Sequence, residues 1–330
     1  MRLALIGAGA IARRHVGALR PHDDVSIEAV CDVDEGRAAE LASAVGGRAV
    51  SDWSEVVERG DIEAVLVCSP PAAHAGPTVA ALERGLPVYL EKPLARSEED
   101  GARIVDAWRA SHAVCAVGYQ WRSLGVLARL REALAGAPPG MLVSRSFGPT
   151  EPGRGDLAAS AGSWFADRRA SGGILFELGS HDIDLQIALA GPVSRVHAAG
   201  GSGLLALHGR PAAGMEDAVA VMLEYESGAV GVVAVAWNPA SEPPVYTLDV
   251  EAAGAALRLE LDPVFRLTGT AGGQRVDARD DVDPRQSSID RFLEAVRSAQ
   301  PDSVPCSPAD ALDTLRAALA AERAIGSPEG

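Results

Sequence analysis

The first 120 residues alternate short apolar runs with longer amphipathic stretches, and this alternation constrains the fold most tightly. The runs are "RLALI" (2–6), "SIEAVC" (26–31), "EAVLVC" (63–68), "PVYL" (87–90) and "AVCAV" (113–117). Each is short, β-branched-rich and poor in polar positions, as a strand buried on both faces must be. Helical patterns lie between them over about 10–20, 34–45, 72–84 and 97–110. "SEED" at 97–100 supplies a Ser cap and an acidic first turn. Buried strands alternating with helices predict an α/β fold with a parallel, doubly wound sheet.

The pattern changes after residue 120. One helix is predicted near 123–135, a Gly-rich loop over 149–162 and a long helix over 173–190. Strand candidates follow at 193–200, 217–225, 229–237, 245–251 and 255–261, with "ESGAV" (226–230) as a hairpin turn. Two helices, near 287–299 and 308–325, close the chain. Strands without intervening helices predict an α+β domain with a mostly antiparallel open sheet. At 330 residues the chain is long for one core, so we expect domains over 1–120 and 121–330.

Charge and cysteine usage narrow the partners. A net charge of −15 argues against nucleic acid and anionic membranes. It leaves room for a phosphate-bearing cofactor, because helix N-terminal amides hold phosphate without net positive charge. Cys31, Cys68, Cys115 and Cys306 form no CxxC pair, and the first three sit in apolar runs. They read as reduced, buried thiols in a cytoplasmic protein. No apolar run spans a bilayer, the chain opens straight into a strand, and no residue set has metal-ligand spacing.

"IGAGAIARRH" (6–15) follows the first strand and opens the first helix, reading G-x-G-x-x-A. Gly7 permits the tight turn, Gly9 lets backbone approach a pyrophosphate, and small Ala12 permits close helix–strand packing. Ala10 and Ile11 begin the helix beside that pyrophosphate position. Asp32 ends the second strand, where an acid accepts from the ribose hydroxyls of NAD and repels a 2′-phosphate. Arg37, five residues on, keeps NADP open.

The chain has thirty Lys and Arg together, and twenty-nine are arginine. Lys92, in "EKPLA" (91–95), is therefore the sole lysine. Unlike arginine, lysine can lose its proton when desolvated, so a lone lysine is a candidate for proton handling. It follows the fifth strand, at the carboxyl end of the parallel sheet, where such sheets bind ligands. Further on, "SGGILFELGSHDIDL" (171–185) places Glu177, His181 and Asp184 at i, i+4 and i+7. On an α-helix these share one face, an acid–imidazole–acid stripe in an otherwise apolar segment. Oxidising an alcohol by hydride transfer needs a base for the hydroxyl proton. His181 suits it, with Lys92 on the same oxygen and Glu177 orienting the imidazole or binding a substrate hydroxyl. Which of Lys92 and His181 carries the proton stays open.

Taken in order, "GAGAIARRH" (7–15), "SPPAAH" (69–74), "EKPLA" (91–95) and "SGGILFELGSHDIDL" (171–185) resemble the Gfo/Idh/MocA oxidoreductase family across essentially the whole chain. The resemblance implies an N-terminal Rossmann domain and a C-terminal domain whose open sheet carries an oligomer interface, in a homodimer or homotetramer. It implies NAD(P)-dependent oxidation or reduction of a sugar, cyclitol or related polyhydroxylated molecule. Ser69, Pro70, His74 and Glu91 would then join Gly7, Gly9, Ala10, Ile11, Asp32 and Lys92 near the cofactor. Arg122, Trp164 and Arg168 would join Glu177, His181 and Asp184 at the substrate. Family members pair the lysine with an aspartate and a histidine four residues apart; Glu177 departs from that aspartate by a methylene. Some relatives hydrolyse glycosides through transient oxidation, and a dinucleotide-sensing regulator could share the fold.

Overall fold

The structure, a computed structural model, describes residues 1–149, 168–204 and 215–326. It falls into two compact units, Met1–Ser123 with Asp283–Leu312, and Leu124–Val282 with Asp313–Gly330.

In the first unit, β1 (Arg2–Ile6), β2 (Ser26–Cys31), β3 (Arg48–Val50), β4 (Ala64–Val67), β5 (Val88–Leu90) and β6 (Cys115–Val117) form one parallel sheet in the order 3-2-1-4-5-6. α1 (Ala10–Leu19), α2 (Glu35–Val45), α3 (Trp53–Glu58), α4 (Ala75–Glu83) and α5 (Glu98–Ser111) connect them. The strand order reverses between β1 and β4, which opens a crevice at their carboxyl ends. Helix ends follow local chemistry. Asp34 caps α2 by accepting from Arg37 N, and Ser97 caps α5 by accepting from Asp100 N. β3 and α3 were not expected; at three and six residues they are too short to show a period.

The return of 283–312 to this unit has no local signal in the sequence. The later helix Pro284–Ser298 buries Ile289, Phe292, Leu293 and Ala295 in one core with Leu3, Leu5, Val30 and Leu66. Gln286 Nε2 donates to the Ala18 carbonyl at 2.9 Å, and Arg297 pairs with Asp24 at 2.7 Å. Truncating fully buried Phe292 to alanine costs roughly 3–5 kcal/mol.

The second unit is built on α6 (Gly125–Leu134) and a long strand, β7 (Pro139–Gly148). The short α7 (Arg168–Ser171) and α8 (Ser180–Ala190) follow, and between them Leu175–Gly179 forms a π-helical turn. Then come β8 (Val193–Gly201), β9 (Ala218–Tyr225), β10 (Val230–Trp237), β11 (Val245–Ala252), β12 (Ala255–Asp262), β13 (Phe265–Ala271) and β14 (Gln274–Asp280). The eight strands pair in the order 14-13-12-11-7-10-9-8. All neighbours are antiparallel except β7 and β10. With α9 for Pro284–Ser298, α10 (Pro308–Gly326) ends the chain. Alternation along β7, β9 and β10 buries Leu142, Val221, Leu223, Val233 and Val235 on one face. The other face leaves Met141, Met222, Val230 and Val245 exposed. No helix among the described residues is long and apolar enough to cross a membrane.

The long helix expected over 173–190 is corrected. It opens with the π turn, which winds more than four residues per turn and shifts the phase between Glu177 and His181. Strands β7, β13 and β14 were missed, because charged and small residues alternate there without a strong apolar signal.

Candidate active site

The Gly-rich turn joins β1 to α1. Gly7 stands at φ +100°, and a Cβ there would lie 2.6 Å from the Cys68 carbonyl and Ser69 N. Only glycine fits. Gly9 caps α1 in extended conformation, and a Cβ on it would meet nothing within 4 Å. This is open space over a helix N-terminus, as a pyrophosphate requires. Ala10 is exposed, Ile11 half-buried and Ala12 fully buried against the sheet. Asp32 leaves the end of β2 with both oxygens engaged. Oδ2 accepts from Ala8 N at 2.8 Å, while Oδ1 accepts from Asp34 N and Arg37 Nη2, each at 2.9 Å. Burial acts to raise its pKa, but the Arg37 hydrogen bond and the two amides outweigh burial and hold it below the usual range. These residues fit the ribose and pyrophosphate of a dinucleotide.

The loop after β4 carries Ser69 and Pro70, both part-exposed, and leads to His74. His74 is fully buried, with Nδ1 2.9 Å from the Pro93 carbonyl and Nε2 2.9 Å from the Ser69 carbonyl. Burial lowers its pKa below the ordinary 6.5, against the pull of both carbonyls. It therefore joins two loops from inside, rather than facing a cofactor. Glu91, expected beside the cofactor, is likewise buried. Its Oε1 lies 2.5 Å from His15 Nε2, and its Oε2 accepts from Lys92 N at 3.0 Å. Burial acts to raise the carboxyl's pKa; the hydrogen bond and charge of His15, with Lys92 and Arg285, hold it at about 2. Glu91 is thus ionised, and the proton in the short contact belongs to His15. His15, buried three residues after Ala12, has a position that the first-helix pattern shows, but its partner Glu91 lies 76 residues on and leaves no local signal. Over Val88–Ala95, Lys92 alone is not buried. Arg122, beyond β6, lies 3.6 Å from Asp310 and is otherwise enclosed, as an ion pair within this unit.

In the second unit, residues 171–187 are buried except Glu177, Leu178 and His181. The π turn and the first turn of α8 thus open only on an acid, an imidazole and one leucine. Asp184, expected on the same face, is 2% exposed and its Oδ1 accepts from Thr314 Oγ1 at 3.1 Å. Arg168 pairs with Glu216 at 3.1 Å and reaches Glu322 at 4.0 Å. Trp164 lies outside the described residues. Asp182, which no sequence signal singled out, is 0% exposed. Burial pushes its carboxyl up to about 7, against the hydroxyls of Ser146 and Ser144. Nearby, Gln186 Nε2 donates to Ser144 Oγ at 2.8 Å and to the Val232 carbonyl at 2.9 Å, and Tyr225 donates to Gln186 Oε1 at 3.1 Å. This polar layer fastens α8 to β7, β9 and β10.

A Gly-rich turn, an acid ending β2 and a ligand-binding crevice at a strand-order reversal define a dinucleotide-binding protein. Residues 1–119 match the oxidoreductase family with an NAD-binding Rossmann fold, and residues 142–273 match the GFO/IDH/MocA C-terminal domain. The chain belongs to the Gfo/Idh/MocA oxidoreductase family, whose N-terminal domain is an NAD-binding Rossmann fold. It is 27% identical over 319 residues to myo-inositol 2-dehydrogenase of Thermotoga maritima, covering 92% of this chain and 90% of that one. Over 108 residues, 32% of each chain, it is 42% identical to inositol 2-dehydrogenase 3 of Saccharopolyspora erythraea. Levoglucosan dehydrogenase, solved with NADH and L-sorbose, shares the fold at TM-score 0.82 and 20% identity, over 99% of this chain and 96% of that one. The WlbA dehydrogenase of Bordetella pertussis, solved with NADH and UDP-GlcNAcA, does so at 0.80 and 22%, over 99% and 97%.

Proposed function

We propose that the protein is an NAD(P)-dependent dehydrogenase or reductase for a sugar, cyclitol or related polyhydroxylated alcohol or ketone. The carrying observation is which side chains two enclosed segments leave open: Lys92 alone in Val88–Ala95, and Glu177, Leu178 and His181 in 171–187. These are the acid–base groups that oxidation of a hydroxyl needs. The bound nicotinamide supplies the hydride acceptor. His181 takes the hydroxyl proton, a role imidazole fills because it can both accept and donate a proton near neutral pH. Lys92 stabilises the negative charge that develops on a substrate oxygen. Glu177 orients the imidazole or holds a neighbouring hydroxyl. Asp32 accepts from the adenosine ribose, while Arg37 beside it leaves NADP usable. The names of the inositol dehydrogenase relatives support a polyol substrate. The exposed face of the second sheet, with Met141, Met222, Val230 and Val245, supports a homodimer or homotetramer.

The test is reduced-nicotinamide absorbance across inositols, sugars and sugar acids, with NAD and with NADP. Turnover of at least one polyol, faster with NAD, is expected. Cofactor that binds without turning over any of them would overturn the reading in favour of a sensor. Tightly retained cofactor with glycoside cleavage and no net reduction would overturn it in favour of a redox glycosidase.

A further inference from the structure

Lys92 stands between two residues that other elements pin from the interior. Before it, the Glu91 carboxylate reaches His15 on α1 and turns back to accept from the Lys92 amide. After it, the Pro93 carbonyl lies 2.9 Å from Nδ1 of His74, at the start of α4. Both histidines are fully buried, so neither contacts substrate or solvent. His15 also packs edge-on against Tyr89 in β5, at 5.1 Å between ring centroids, and Tyr89 in turn bonds Ser288 at 3.0 Å. The loop carrying the lone lysine is thus tied on one side to the helix that begins at the Gly-rich turn. On the other side it is tied, through His74, to the loop carrying Ser69.

We propose that His15 and His74 are positioning residues that together frame Lys92, His15 through Glu91 and His74 through an Nδ1–H bond to Pro93. The proposal rests on the reading of Lys92 as the group that meets the substrate oxygen. It adds why the ammonium stays in one place. A single long, flexible side chain loses reach and direction if its two backbone neighbours drift, and a misplacement of about 1 Å costs on the order of 10²-fold in rate. Two buried imidazoles remove that drift, His15 held through Nε2 and its edge-on packing against Tyr89, His74 lying between the Pro93 and Ser69 carbonyls.

Because Lys92 is the only lysine, protein grown on [6-13C]lysine shows one side-chain methylene signal, and that signal reports the frame without any substrate. Glutamine places its amide nitrogen near the imidazole Nε2 position, and asparagine near Nδ1. The frame therefore predicts opposite outcomes at its two corners. At position 15 the bond uses Nε2, so His15→Gln keeps the native Lys92 signal and His15→Asn shifts and broadens it. At position 74 the bond that matters uses Nδ1, so His74→Asn keeps the signal and His74→Gln moves it. In the two disrupting variants kcat falls about 10- to 100-fold while KM for the polyol stays within about threefold. Loss of packing alone would treat both substitutions at a site alike. If His15→Asn does not fold, Glu91→Gln reads the same link and is expected to move the signal. An unmoved signal in the disrupting variants, or the reverse preference at either site, overturns the proposal. An active Lys92→Arg variant would instead overturn the catalytic reading of Lys92, and leave the signal test of the frame standing.

Discussion

Each unit buries an acid whose carboxyl is strongly perturbed, Glu91 in the first and Asp182 in the second, and the two shift in opposite directions. Glu91 in the first unit meets His15 at 2.5 Å, with Lys92 and Arg285 near, and is held at about 2. Asp182 in the second meets only hydroxyls, Ser146 and Ser144, and is pushed to about 7. Burial penalises both charges alike; a cationic partner decides the sign. The difference fits their surroundings. Glu91 sits next to the one lysine and supports it as an anion. Asp182 lies beside the neutral layer in which Gln186 bonds Ser144, Val232 and Tyr225, and burial there works against its charge.

The sharpest way to break this comparison is to remove the partner. His15→Leu leaves Glu91 buried without its partner, and the expected cost at pH 7 is about 3–5 kcal/mol of stability by urea unfolding. The cost shrinks toward pH 4, where the variant's Glu91 takes up a proton. The native pair shows the complementary acid limb. Because the folded pKa of Glu91 is depressed from its ordinary 4.5, its stabilisation is present above pH 4.5 and is lost as pH falls toward 2. A flat loss at every pH would mean that His15 only fills space.

Next in size is Asp182→Asn. The folded carboxyl holds its proton more tightly than the unfolded one, so stability is highest below 3.8 and is lost as pH rises through about 7. Asparagine removes this penalty. The variant is expected to exceed the native protein by roughly 2–4 kcal/mol at pH 8 and to match it near pH 4. Equal Tm differences at both pH values would place Asp182 in the ionised class with Glu91.

The smallest effect belongs to Asp32, an acid at the rim with a cation and two amides. Asp32→Ala is expected to weaken NAD binding about tenfold, close to 1.4 kcal/mol, and NADP much less, because Arg37 is then released for a 2′-phosphate. Equal losses measured by cofactor titration would remove the selector role.

Much of the first unit was legible because its signals are local. Gly7, Gly9 and Ala12 sit at fixed offsets after an apolar run, and Ser97 precedes three acids. Boundaries there moved by at most three residues. What stayed hidden involves partners distant in sequence. His15 and Glu91 are 76 residues apart, and Thr314 and Asp184 are 130 apart. No period or motif joins such pairs. The acid–imidazole–acid face assumed a regular α-helix; the π turn over Leu175–Gly179 and the Thr314 bond leave Glu177 and His181 open and draw Asp184 inward. Asp182 was passed over because, beside His181, it reads as one more polar residue. Only the sheet above it makes it a neutral acid.

The account turns on Lys92 as the group that meets the substrate oxygen and stabilises the charge that develops on it. Lys92→Arg keeps the charge but replaces a compact ammonium with a bulkier planar fork that cannot sit at the same point. The decisive measurement is kcat for this variant on a polyol that the native protein oxidises, followed by NADH absorbance, with NAD affinity measured alongside. NAD affinity is expected to stay within about twofold while kcat falls at least about 100-fold. Native turnover by Lys92→Arg would contradict the claim.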